Sequence, residues 1–274
     1  MIDNIPNPSH LDLLLLSVDD ALVSAAVNAG VDGIIVDWEN QGKKLRQENF
    51  DTQINHDTYE DLCRLRQIVP AGKLFCRINE FSGDSTLREV DLAVSGGADE
   101  IFIPMITSAE HVENVISHAG NAVAINILIE TVAALEQLDE LSSLPLKRAY
   151  IGLNDLHIQQ RTPNIFYPLL GPVITDIRKR FTCRLGMGGV TYPDSGRPVR
   201  SRYLINEYAR LNIDFSFLRR TFIKDCGEFG IEYMVSAIKE AYREAKRRTP
   251  AEEEEDFREF SSFVTGWVSN PYIA

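Results

Sequence analysis

Eight apolar runs of strand length, set at fairly even intervals, constrain this chain more than any other feature. They cover 11–18, 33–38, 74–79, 100–105, 122–130, 148–155, 184–190 and 215–223. Several are continuous blocks (GIIVDW, EIFIPM, AINILIE) rather than alternating ones. Strands buried on both faces have that composition, which favours a parallel sheet covered by helices. The stretches between the runs carry helix signals. Ser17 precedes Asp19-Asp20 and an Ala/Leu/Val face that stops at Asn28-Ala29-Gly30, an N-cap, first-turn acids and a C-terminal glycine. The same grammar recurs from Thr107-Ser108 to Gly120, and amphipathic stretches occupy 131–141, 206–211 and 230–248. Ala29-Gly30-Val31-Asp32-Gly33-Ile34-Ile35-Val36 resembles Gly96-Gly97-Ala98-Asp99-Glu100-Ile101-Phe102-Ile103, a weak internal repeat of helix stop, tight turn and buried strand. Eight strand–helix units without a composition break read as α/β, a (β/α)8 TIM barrel, with a doubly wound open sheet as the alternative.

On this reading residues 1–250 form one barrel domain, a size within the range of single α/β barrels. Residues 251–274 form a C-terminal tail with an acidic run, 252–256, then Phe257, Phe260, Phe263 and Trp267 at helical spacing. A helix docking on the barrel's own flank or on a neighbouring subunit fits that pattern. The chain carries 28 Lys+Arg against 40 Asp+Glu, a net charge of −12, which argues against nucleic-acid and anionic-membrane partners. Cys63, Cys76, Cys183 and Cys226 form no C-x-x-C pair and read as buried, reduced thiols. The first apolar run is too short to span a bilayer and its flanks are acidic, so a cytoplasmic enzyme is expected.

In a barrel, polar residues at strand C-termini carry chemistry. Here those ends deliver Asp37-Trp38-Glu39-Asn40, Arg77-Ile78-Asn79, Glu130-Thr131, Asn154-Asp155, Gly188-Gly189 and Arg219-Arg220. Glu130 and Asp155 end neighbouring strands, and two carboxylates with water suit a hard divalent cation, Mg²⁺ first, Mn²⁺ or Co²⁺ as alternatives. Arg77 could hold a carboxylate bidentately. A polar stretch of about twenty residues, Trp38 to about Asp57, follows the second strand and is longer than usual for such a connection.

Five motifs in order resemble one family: Asp37-x-Glu39, Arg77-Ile-Asn79, Ala98-Asp99-x-Ile-x-Ile-Pro104, Leu128-Ile-Glu130-Thr131 and Gly152-x-Asn-Asp155-Leu156. They are similar to the citrate lyase β-subunit-like and 4-hydroxy-2-oxoacid aldolase family of the phosphoenolpyruvate/pyruvate-binding barrels, over roughly residues 15–160. The resemblance implies a metal held by Glu130 and Asp155, an oxoacid carboxylate and enolate oxygen on Arg77, and reversible aldol-type C–C cleavage. It also implies a homo-oligomer, and a substrate that is a small 2-oxoacid, phosphorylated or CoA-linked in some variants. The family's aldolase branch has a His, its general base, where this chain has Asn40; the lyase branch usually has Asp. Glu39, Asp37, water activated by the metal and His157 remain candidates for the base.

Residues 184–224 run against the overall charge, with eight basic residues and three acids. Phosphate sites of barrels often follow the seventh and eighth strands, so Gly188, Gly189 and one of Arg219 and Arg220 are expected to bind an anionic group. The glycines 186, 188 and 189 could equally be a close-packing feature. The resulting expectation is a divalent-metal-dependent carbon–carbon lyase. Asn40 motivates the alternative, a non-catalytic barrel that binds metal and oxoacid as a binding or assembly subunit. A phosphoenolpyruvate-dependent synthase or phosphotransferase is weaker, because no phosphoryl-carrying His stands in a recognisable motif.

Overall fold

The computed structural model describes residues 8–40, 57–218 and 220–268. Its strands are β1 (Asp12–Leu16), β2 (Gly33–Asp37), β3 (Leu74–Arg77), β4 (Glu100–Ile103), β5 (Ala124–Ile129), β6 (Arg148–Ile151), β7 (Arg184–Met187) and β8 (Phe215–Leu218). They follow one another in that order around a closed barrel, and the pairings are parallel, with Asp37 beside Arg77 and Arg77 beside Phe102. The chain is therefore a (β/α)8 barrel, and the open-sheet alternative falls. Every apolar run holds a strand, though the runs overshoot: 148–155 and 215–223 continue into helices that start at Leu153 and Arg220. Local contacts divide the chain into two compact units, Leu14–Tyr150 and the remainder.

In the unit Leu14–Tyr150 the helices are α1 (Asp20–Asn28), α2 (Tyr59–Leu65), α3 (Asp84–Ser95), α4 (Ala109–Ala119), α5 (Val132–Glu136) and α6 (Leu138–Ser143). The N-cap of α1 is Asp19, not Ser17: its carboxylate accepts from Leu22 N at 2.8 Å, while Ser17 Oγ accepts from Asp19 N. A carboxylate also matches the positive end of the helix better than a hydroxyl does. The expected helix 131–141 is broken at Gln137. Its amide oxygen accepts from Ala109 N (3.1 Å) and its amide nitrogen donates to Thr107 O (2.9 Å), so Gln137 caps α4, where the Ser108 side chain makes no capping bond. All residues of β1 to β4 are buried. A Cβ on Gly33 would lie 2.4 Å from the Phe75 ring, so glycine lets two interior layers close. The N-terminal strand ends carry a buried ion network: Glu100 accepts from Arg148 Nε and Asn126 Nδ2, each at 2.9 Å, and Lys147 Nζ stands 2.7 Å away.

The other unit holds α7 (Leu153–Gln160), α8 (Val173–Arg180), α9 (Ser201–Arg210), α10 (Arg220–Phe229), α11 (Ile231–Ala245) and α12 (Pro250–Thr265). The helix expected over 206–211 starts earlier, at Ser201. Asp214 ahead of β8 accepts from Arg178 Nη1 (2.9 Å) and Leu185 N (2.8 Å). A Cβ on Gly186 would stand 2.3 Å from the Phe215 ring, which makes that glycine a close-packing residue. The tail helix α12 opens on a Thr249/Glu252 capping box and buries Phe260 and Val264. Tyr203 and Asn206 of α9 bond its Glu259 (2.8 Å) and Asp256 (2.9 Å), and Arg210 stacks over Phe257. Phe263, 47% exposed, still lies 5.3 Å from the Tyr203 ring, and Trp267 lies 6.1 Å from Phe166, so all four aromatics of the stripe find packing partners. Of the cysteines, all outside disulfides, only Cys76 is buried; Cys63, Cys183 and Cys226 are half-exposed, contrary to expectation. Among the described residues no helix is long and apolar enough to cross a membrane.

Candidate active site

The end of β2 meets the end of β3 in a buried ion cluster. Parallel register puts Asp37 beside Arg77. The guanidinium grips Asp37 with both edges, Nε to Oδ1 at 2.7 Å and Nη2 to Oδ2 at 2.6 Å, and its Nη1 stands 2.9 Å from Glu39 Oε2. Asp37, Glu39 and Arg77 are 0%, 3% and 4% exposed, so water contributes little to their solvation. Burial alone would drive Arg77 toward its neutral form, but Asp37 and Glu39, with Glu130 behind them, more than reverse this and hold its pKa well above the ordinary value. Three of the five guanidinium N–H groups are committed to Asp37 and Glu39, and one on each Nη remains for a further acceptor.

Glu130 follows β5 and is buried, with one carboxylate oxygen accepting from Met105 N at 2.9 Å. Within Leu14–Tyr150 the structure thus gathers Arg77, Asp37 and Glu39 and puts Glu130 within electrostatic reach of the guanidinium. Asp155 stands in the first turn of α7, in the other unit. His157 is buried two residues on, and its burial pushes the imidazole pKa below the ordinary value against the opposing effects of the Thr162 backbone hydrogen bond and of Asp155. Among the described residues, no group of three or more His, Cys, Asp or Glu side chains is gathered as a metal site. Glu130 and Asp155 are hard oxygen donors and few in number. That suits Mg²⁺, which keeps several waters and takes one or two protein carboxylates, better than it suits zinc.

Gly189 has φ +112°, a conformation that favours glycine, and Gly188 O accepts from Tyr208 Oη. The backbone path after β7 thus asks for glycine at 189, while at Gly188 the carbonyl is engaged. Arg220 opens α10 with an exposed side chain, and Arg219 lies outside the described residues, as does most of the long polar stretch after β2.

The residue that sequence reasoning missed is Asp57, which stood only as the end of that stretch. Its Oδ2 accepts from Asp37 N at 2.8 Å. Partial burial, reinforced by the charges of Asp37 and Asp61, raises its pKa to about 6, against the opposing pull of the Asp37 hydrogen bond and of Arg77. Asp57 lines a cavity of about 230 Å³ with Trp38, Asn40, Asn79 and Glu89. Asn79 fixes one wall: Oδ1 accepts from Asn40 N at 3.0 Å, and its N and Nδ2 each donate to Glu89 at 2.9 Å. The indole Nε1 of Trp38 is buried and has no hydrogen-bond partner among the described residues. Its signal in the sequence was weak: an Asp just ahead of Thr58, the N-cap of α2.

A closed parallel barrel with a carboxylate-rich cluster at the strand C-termini is the class that fold and geometry define. No family model and no curated protein matches the sequence. Solved structures do match. An HpcH/HpaI aldolase/citrate lyase family protein from Burkholderia cenocepacia superposes with a TM-score of 0.59 at 14% identity, covering 78% of this chain and 89% of that one. The citrate lyase beta subunit from M. tuberculosis, complexed with oxaloacetate and magnesium, gives 0.59 at 15% identity, covering 87% and 98%. CitE from Mycobacterium tuberculosis, in complex with magnesium and pyruvate, gives 0.59 at 14%, covering 92% and 100%. The proteins that share this fold thus include the family to which the five motifs pointed.

Proposed function

We propose that this chain is a divalent-metal-dependent carbon–carbon lyase or aldolase that works through the enolate of a small 2-oxoacid. The observation that carries the reading is the buried Asp37–Arg77–Glu39 cluster with Glu130 close by: three carboxylates around one guanidinium. Among the described residues carboxylates outnumber the guanidinium in this water-poor site, and a divalent cation suits such a setting. Glu130 and Asp155 would hold it, as the sequence resemblance implies and as the magnesium in two structural relatives supports. Bound there, a divalent cation supplies Lewis-acid stabilisation of the charge that develops on an oxoacid carbonyl oxygen.

The chain's own residues do the rest. Asp37 and Glu39 lock the guanidinium plane, so Arg77 meets the substrate carboxylate or enolate oxygen without reorganisation. That same pairing makes them poor bases, because accepting a proton would break a buried ion pair. Asp57 is the better proton acceptor. With a pKa of about 6 it is a stronger base than an ordinary aspartate, yet still about nine-tenths ionised at pH 7. In the cleavage direction Asp57 takes the hydroxyl proton of a 4-hydroxy-2-oxoacid. The resulting alkoxide becomes the aldehyde carbonyl, and the C3–C4 electron pair passes to the oxoacid fragment as its enolate. A CoA-thioester substrate is the close variant, and assembly as a homo-oligomer is part of this reading.

Metal-dependent exchange of pyruvate methyl protons for deuterium, followed by NMR, tests it. The active protein exchanges them with Mg²⁺ or Mn²⁺, and Glu130→Gln stops the exchange. Asn40, which cannot take a proton, favours one second reading, a binding or assembly barrel. Mg²⁺ and oxoacid binding by calorimetry without exchange under any divalent metal decides for it.

A further inference from the structure

A second cavity is lined wholly by residues of the unit that carries β7 and β8, none of them assigned to the lyase chemistry. It measures about 780 Å³ and is lined by the loop after β7 and the start of α10, with Asp194, Arg197, Arg200, Thr221, Lys224 and Asp225 on its walls. The two acids are turned to neighbours: Asp225 accepts from Thr191 Oγ1 at 2.7 Å and Asp194 from Arg202 Nε at 3.2 Å. The three cations are not. Among the described residues Arg197, Arg200 and Lys224 have no ion-pair or hydrogen-bond partner for their side chains.

The loop that presents them is tied to itself. Ser195 N bonds Tyr192 O (2.9 Å), Ser201 N bonds Ser195 O (2.8 Å) and Arg202 N bonds Pro193 O (2.8 Å). Buried Ser201 Oγ both accepts from Thr191 N (2.9 Å) and donates to Thr191 O (3.0 Å). Gly196, at φ +99°, allows the turn, since a Cβ there would stand 2.8 Å from Val199 O. A turn closed by its own backbone bonds holds the backbone beneath Arg197 and Arg200 in place before any ligand arrives. Cations lining one cavity favour an anion in it.

We propose that this cavity is a binding site for a diphosphate-bearing small molecule, independent of the lyase reading. Two arginine forks and a lysine suit phosphate oxygens; with Asp225 set against them and Asp194 paired to Arg202, the walls keep a surplus of two positive charges, more than a single carboxylate neutralises. The volume falls within the range of sites for whole small molecules, so it accommodates more than one oxyanion.

Inorganic pyrophosphate, titrated into the full chain at low ionic strength and followed by ³¹P NMR and calorimetry, is the test. Wild type binds it. Arg197→Gln, Arg200→Gln and Lys224→Gln combined weaken binding by roughly tenfold or more, with an unchanged circular dichroism spectrum because these side chains are exposed. A control triple, Lys179→Gln, Arg180→Gln and Arg247→Gln, removes the same charge elsewhere and leaves binding intact. Absence of pyrophosphate binding in wild type, or equal loss in both triples, overturns the proposal. ADP tighter than pyrophosphate assigns the diphosphate to a nucleotide; equal affinities assign it to the free ion. The pyruvate exchange assay reads the other site, so failure of one proposal is distinguishable from failure of the other.

Discussion

Two buried ion networks within Leu14–Tyr150 have opposite stoichiometry. At the N-terminal strand ends a single carboxylate, Glu100, faces two cations, Arg148 and Lys147, plus the amide of Asn126. At the C-terminal ends a single guanidinium, Arg77, faces Asp37 and Glu39 with Glu130 in reach. Glu100 is fully buried and its surplus positive charge sits on Lys147, which is 52% exposed and solvated by water. The Arg77 cluster has no such outlet, because all its members are buried. Charge balance and solvent access therefore differ between the two ends: one network carries surplus positive charge on an exposed lysine, the other gathers carboxylates about a buried guanidinium.

The sharpest way to break the contrast is to remove the centre of each network. Arg77→Met and Glu100→Leu each leave buried charge uncompensated and should lower stability by about 3–5 kcal/mol in urea unfolding. Only Arg77→Met should also abolish pyruvate proton exchange per folded molecule. Equal loss of exchange in both would erase the distinction between the two ends.

Asp57→Asn should slow cleavage of a 4-hydroxy-2-oxoacid by about 10²-fold or more, and remove the rise in wild-type cleavage activity centred near pH 6. The stability effect has the opposite sign. Because folding raises the Asp57 pKa from 3.8 to about 6, the folded state holds more protons between those values, and stability falls as pH rises through that window. Asp57→Asn should therefore unfold at higher urea than wild type at pH 7, with no advantage below pH 4. An unchanged pH profile in the variant would sink Asp57 as the base.

Magnesium should act on the anionic cluster alone. At about a hundred times its Kd it should stabilise the protein by about 2.7 kcal/mol, and Glu130→Gln should abolish that gain in thermal melts. The smallest expected effect lies far from either network: Thr249→Ala removes the α12 capping box and should cost about 1 kcal/mol with exchange unaffected.

Much of this was legible in the chain. The apolar blocks marked all eight strands because burial on both faces writes itself into composition, and Asp37, Glu39, Arg77 and Glu130 were found by standing at the ends of those blocks. Errors arose where a side chain from elsewhere in the chain overrode a local signal. Gln137 stops a helix whose own pattern continues because it caps another. Of the two readings left open for the glycines at 186–189, Gly186 takes the close-packing one, against the Phe215 ring.

Sequence by itself therefore determined the strand count, the parallel barrel and which charged residues stand at strand ends, since periodicity and chain order are local properties. Tertiary structure alone decided that Arg77 is clamped by Asp37 and Glu39. It also decided that the Asp57 pKa rises to about 6 and that Arg197, Arg200 and Lys224 line one cavity. Burial and the choice of ionic partner depend on residues distant in the chain, and they set what a charge can do.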